Sequence, residues 1–143
     1  MPKLLCLLVL ASFAISAAIA GGKPVHPKQF PTGRAFSPGI LVDGTLYVAG
    51  QTGSDLKTGD IPQKFEDEVK LCLDNIGLVL KEAGMTFQDA VAVQVYLTDM
   101  DLFQRMNTVY TTYFKEPRPA RTTVGIARLV GAAKIEITVT AHK

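Results

Sequence analysis

Apolar positions along this chain follow two periods, and the switches between them mark out its elements. Phe65, Val69, Cys72, Ile76, Val79, Leu80 and Ala83 fall at the three- and four-residue spacing of one helical stripe. Glu66, Asp67 and Glu68 lie where a helix N-terminus favours anions, and Gly84 stands where a left-handed residue ends a helix. A first helix is therefore predicted over Phe65 to Ala83. A second runs from an Asp99 or Asp101 cap to about Phe114, with Phe103, Met106, Tyr110, Tyr113 and Phe114 on its apolar side. Pro117 and Pro119 forbid its continuation.

Elsewhere the period is two. Ala35 to Val42 and Thr45 to Gln51 read as a hairpin across Asp43-Gly44, a pair suited to a type I′ turn. Val91 to Thr98, Arg121 to Ile126 and Lys134 to His142 read as three more strands. Gly21 to Gly33, broken by Pro and Gly, reads as an extended arm, and Ser54 to Asp60 as a loop. The predicted order is β-β-α-β-α-β-β, without internal repeats. The stretch VAVQVYL is apolar on both parities: Val91, Val93, Val95 and Leu97 on one, Ala92 and Tyr96 on the other. Such a strand is covered on both faces, and two helices cover only one side of a sheet. A second copy of the chain is the simplest cover, so a homo-oligomer is predicted.

The first 20 residues obey neither period. Lys3 precedes an almost wholly apolar run from Leu4 to Ile15, and Ala18-Ile19-Ala20 is a small-x-small site before Gly21. This predicts a secretory signal peptide over residues 1–20 and an exported protein, periplasmic or secreted. The alternative is an uncleaved anchor, but Leu4 to Ile19 falls short of the ~20 residues that a span needs. The leader lacks the Arg of a mitochondrial presequence, and Cys6 sits inside the apolar run rather than at a lipoprotein site. Cleavage leaves 123 of the 143 residues, enough for one domain that buries about two thirds of its unfolded surface. Of 15 basic and 13 acidic residues only Lys3 is lost, so charge makes no case for nucleic acid or for an anionic membrane. Cys72 is the sole cysteine left, which excludes an internal disulfide.

His26 and His142 lie towards the two ends, and with one cysteine they form no zinc-site spacing. Serine-elbow, P-loop, dinucleotide and calcium-loop motifs are missing too. Neither a metal nor a cofactor is therefore expected. What remains is a pair on the last two strands. Arg121 follows Pro119-Ala120 and carries the planar fork that grips a carboxylate through two parallel hydrogen bonds. Glu136 shares a parity with Lys134, Thr138 and Thr140, opposite Ile135, Ile137, Val139 and Ala141. Spacing leaves two readings open: a solvated cation and anion of little energetic weight, or two groups that face a pocket.

The segment PARTTVGIARLVGAAKIEI resembles the C-terminal signature of the RidA/YjgF family, the reactive-intermediate deaminases. YVAGQTGSDLKTGDIP, LDNIGLVLKEAG and DMDLFQRMNTVYTTYF extend the resemblance over Arg34 to His142. It implies an α+β, chorismate-mutase-like domain with two helices on one face of a mixed sheet, assembled as a homotrimer with sites between subunits. Arg121 matches the family arginine that holds a substrate carboxylate, and Glu136 the acid that positions water. Gly50 matches a backbone contact, Asn107 an asparagine near the pocket, and Thr123 a position where many members have Ser or Cys. Phe36 stands where the deaminases usually have Tyr, and Ala49 where they often have Ser; both changes remove a hydroxyl.

The implied activity is hydrolysis of 2-imino acids, or of enamine tautomers such as 2-aminoacrylate, to 2-oxo acids and ammonia. Two other classes stay open: a non-catalytic binder of small carboxylates, and an endoribonuclease or translation inhibitor. The latter is the weaker, because Lys115, Arg118, Arg121, Arg128 and Lys134 are accompanied by no aromatic platform. Cys72, on the apolar stripe, reads as inert core.

Overall fold

A computed structural model describes residues 21–143; the signal-peptide reading lies outside them. Six strands form one mixed sheet in the order β1-β2-β3-β6-β4-β5. They are β1 (Lys23–Val25), β2 (Gly39–Val42), β3 (Thr45–Thr52), β4 (Ala90–Leu97), β5 (Ala120–Gly125) and β6 (Ile135–His142). Helices α1 (Phe65–Glu82) and α2 (Phe103–Tyr113) complete the domain. β4 and β5 are the parallel pair, joined through α2; the other neighbours are antiparallel.

Local chemistry accounts for the element ends. Asp43 and Gly44 both take positive φ, 48° and 74°, as a type I′ turn requires. α1 stops in a left-handed Gly84 with φ of 71°, where Met85 N–H donates to Leu80 O at 2.8 Å and Gly84 N–H to Lys81 O at 3.0 Å. Asp99 accepts from Asp101 N–H at 2.9 Å, capping a single 3₁₀ turn over Met100–Leu102 that leads into α2.

Both helices lie on one face of the sheet. Leu46, Val48, Val93, Val95, Leu97, Ile135, Ile137, Val139 and Ala141 point at them and are buried. From above, Val69, Leu73, Ile76, Val79, Leu80, Met106 and Phe114 close the core. The opposite face carries Ile40, Tyr47, Tyr96, Val124, Glu136, Thr138 and Thr140, and no described helix covers it. Tyr47 there is 53% exposed.

Three details depart from the expected pattern. The first hairpin strand starts at Gly39 instead of Ala35. Pro38 has no N–H for a ladder, although its carbonyl accepts from Ala49 N–H at 2.9 Å. The arm does not hang free: Lys23–Val25 pair with β2, and Val25 and Phe30 are buried, so the packed domain begins well before Arg34. Third, a register shift between Ala90 and Ala92 turns Val91 out of the buried row, leaving it 51% exposed. The outer face of β4 is therefore Ala92, Gln94 and Tyr96, which is less apolar than the alternation implied.

Candidate active site

Arg121 stands in register with Val93, and Thr123 with Val95, so both project to the helix-covered face of edge strand β5. There α2 meets them. Phe103, Asn107 and Tyr110 are spaced by four and three residues along α2 and share one of its faces. The Arg121 guanidinium carbon lies 4.5 Å from the Tyr110 ring centre and 5.6 Å from that of Phe103. Its Nη1 touches Met106 Sδ at 4.0 Å. Two aromatic faces stabilise the cation, but they accept almost none of its hydrogen bonds. Among the described residues no carboxylate lies within ion-pair distance of it.

Two further polar groups lie on this side of the sheet. The Thr123 hydroxyl is buried with no hydrogen-bond partner among the described residues, and the buried Tyr110 hydroxyl has none there beyond the adjacent Arg121 guanidinium. Burial raises the Tyr110 phenol above its ordinary pKa, opposed by the Arg121 charge. The half-buried guanidinium thus keeps hydrogen-bonding capacity that the described residues leave unused, and oxygen acceptors on a small anion are the chemistry that would match it.

Glu136 belongs to a different place. It is registered against Thr52 on β3 and Tyr96 on β4, on the outer face of the sheet. A bulge between Val48 and Gln51 brings the Gly50 backbone against its carboxylate. A Cβ at Gly50 would collide with Glu136 Oε1 and stand 2.9 Å from Cδ, so a larger residue there would push the carboxylate to another position. Glu136 also lines a surface cavity of about 580 Å³ with Arg128, Leu129, Val130 and Gly131.

The candidate residues thus form two groups rather than one. Arg121, Thr123 and Asn107 gather on the helix side, and Glu136 and Gly50 on the outer side. Phe36 joins neither: it is 53% exposed, 5.8 Å from the Arg34 guanidinium, and lines a separate 380 Å³ cavity with His26 and residues 32–37. Tyr110, Phe103 and Met106 were not singled out from the pattern, which places them on the apolar side of their helix. Cys72 is fully buried and donates to Gln51 O at 3.0 Å, and burial drives its thiol pKa upward, away from reactivity. Among the described residues no three His, Cys, Asp or Glu side chains come together to hold a metal.

The family profile described as Endoribonuclease L-PSP matches residues 27–143. The chain belongs to the RidA/YjgF family. A RutC family protein of Pyrococcus horikoshii is 38% identical over 122 residues, which are 85% of this chain and 90% of the relative. The 2-iminobutanoate/2-iminopropanoate deaminase of Rattus norvegicus is 40% identical over 104 residues, 72% of this chain and 76% of the rat protein. Among solved structures, the yjgF gene product of E. coli superposes with a TM-score of 0.78 at 28% identity, covering 85% of this chain and 98% of that one. E. coli TdcF with bound serine gives the same TM-score, identity and coverage. The fold is accordingly the chorismate-mutase-like α+β fold of the RidA/YjgF family.

Proposed function

We propose that this protein hydrolyses 2-imino acids to 2-oxo acids and ammonia, at sites that two copies of the chain build together. The observation that carries this reading is the state of Arg121: a ring-cradled guanidinium, half-buried and unpaired by any described carboxylate, on the same side of the sheet as the buried Thr123 and Tyr110 hydroxyls. An α-carboxylate fits the guanidinium in a bidentate fork. The deaminase name of the rat relative and the serine bound to E. coli TdcF favour a ligand built on that group.

Glu136 supports the second half. Water must attack the C=N carbon next to the held carboxylate, which calls for a proton acceptor on the far side of the substrate. Glu136 takes the proton from water as the C–O bond forms, giving a carbinolamine. With the imine entering protonated on nitrogen, it returns that proton to the amine. It takes up the carbinolamine's hydroxyl proton as the C–N bond breaks, leaving a carbonyl and ammonia, which departs as ammonium with that last proton. Within one protomer Arg121 and Glu136 face opposite sides of the sheet and cannot hold one small molecule. A neighbouring copy that presents its outer face to the β5 edge completes the site, and the exposed Tyr47 and Val124 give that face apolar area to bury. A closed ring of three copies is the assembly we assign. The leader reading adds export, with a mature chain that starts at Gly21 and keeps β1 whole from Lys23.

The test uses the purified mature chain with imino acids generated in place by an amino-acid oxidase and trapped by semicarbazide. Faster loss of imine with matching ammonia release supports the reading. Calorimetric binding of a 2-oxo acid without turnover leaves only a carboxylate binder, and cleavage of RNA with no effect on imines transfers the activity to the family's other named chemistry.

A further inference from the structure

Helix α1 packs on the sheet through an apolar stripe, yet three buried polar residues run through that stripe at four- and three-residue spacing: Glu68, Cys72 and Asn75. All three reach to backbone at the same spot. Glu68 Oε1 accepts from Lys134 N–H at 2.6 Å and from Ile135 N–H at 3.3 Å. Cys72 donates to Gln51 O at 3.0 Å, and Asn75 Nδ2 to Thr52 O at 3.3 Å and Ser54 O at 3.0 Å. Glu136 follows Ile135 directly and is registered against Thr52. Both stretches of backbone that flank Glu136 are thus tied to one helix, on the face opposite its carboxylate.

Glu68 is the costliest of the three. Its side chain is fully buried, and among the described residues its second oxygen has no hydrogen-bond partner and only Lys134 Nζ, 3.9 Å away, as an ion-pair partner. A leucine would remove the unpartnered oxygen but would leave the Lys134 and Ile135 amides without their acceptor, so the use of the carboxylate lies in holding that backbone. The chain also passes close to α1 here: a Cβ at Gly53 would collide with the Glu68 backbone carbonyl and stand 2.6 Å from its Cγ. We infer that Glu68 is a positioning residue. Through the Lys134 and Ile135 amides it fixes the start of β6, and so the direction in which Glu136 presents its carboxylate to the reacting carbon. This inference rests on the role proposed for Glu136.

The experiment compares Glu68→Ala and Glu68→Gln with the unmodified chain, by crystal structure and by steady-state kinetics on imino acids. Glu68→Gln keeps an acceptor for both amides. We expect the Glu136 carboxylate to move by about 1 Å in Glu68→Ala, with a roughly hundredfold fall in kcat. KM should hold, since Arg121 on the other face is untouched, and Glu68→Gln should restore most of the rate. Asn75→Ala, which loosens only the β3 side, should shift Glu136 and lower kcat in the same sense, and it decides the matter if Glu68→Ala does not fold. Glu136 left in place in the alanine variants, or kcat and KM falling together with no rescue by glutamine, overturns the inference. A chain that proves inactive on every imine defeats the proposed function instead, and the crystallographic position of Glu136 then decides the positioning role by itself.

Discussion

At Arg121 the desolvation of a cation is offset by aromatic rings instead of by an acid. Phe103 and Tyr110 supply that stabilisation while leaving the hydrogen-bonding fork free, which is the condition an anion receptor has to meet. Arg121→Ala should cost about 3 kcal/mol of transition-state binding, or roughly a hundredfold in kcat/KM. Arg121→Lys should recover little, because an ammonium cannot pair both oxygens in one plane. Titration with a 2-oxo acid should show both variants losing affinity. Glu136→Gln should behave differently, lowering kcat by roughly 10²–10⁴ with little change in KM, as expected for a lost proton acceptor. At Gly50, alanine forces only the Glu136 side chain aside, so unfolding in urea should change little while imine hydrolysis falls. The residue types at 121 and 136 were legible through the family signature. Tyr110 was not, because its spacing is that of a core residue and only the packed structure shows it against the Arg121 guanidinium.

Elements were legible where local chemistry and tertiary packing agree. The α1 stripe, its Gly84 stop and the Asp43-Gly44 turn follow from spacing and allowed φ values, and they stand where the pattern places them. Strand ends were less legible, since pairing decides them: Pro38 delays β2, and a bulge turns Val91 outward. The β1 strand was hidden because three residues ending an arm acquire their structure only from the β2 edge they join. Between the helices, Arg105 donates to both Glu66 oxygens at 2.7 and 3.0 Å and holds that carboxyl down to about 2, from an ordinary value of 4.5. A depressed carboxyl stabilises the fold above its ordinary value, and that contribution fades as pH falls towards 2. Urea midpoints should therefore separate the unmodified chain from Glu66→Gln at pH 6, and the gap should narrow by pH 3. The separation should be modest, because the pair lies at the surface.

On the scale of the whole molecule, the sheet itself divides the chemistry. Arg121 and Thr123 project under α2, while Glu136 and Gly50 lie on the uncovered face, so one protomer does not bring the two groups of candidate residues together. The alternation in VAVQVYL predicts cover for this face, although its outer row is only Ala92, Gln94 and Tyr96, and no reading of periodicity shows which two residues a neighbour would bring together. The pairing proposed above is a property of an assembly, and it is open to a direct test. Arg121→Ala and Glu136→Gln, each purified and each inactive, are dissociated, mixed in equal amounts and reassembled, and imine hydrolysis is then measured. If Arg121 of one copy works with Glu136 of the next, random mixing rebuilds roughly a quarter of the sites with both residues intact, and activity should return to about that fraction. Activity that stays at the level of the separate variants after subunit exchange has been verified by mass would contradict the shared site.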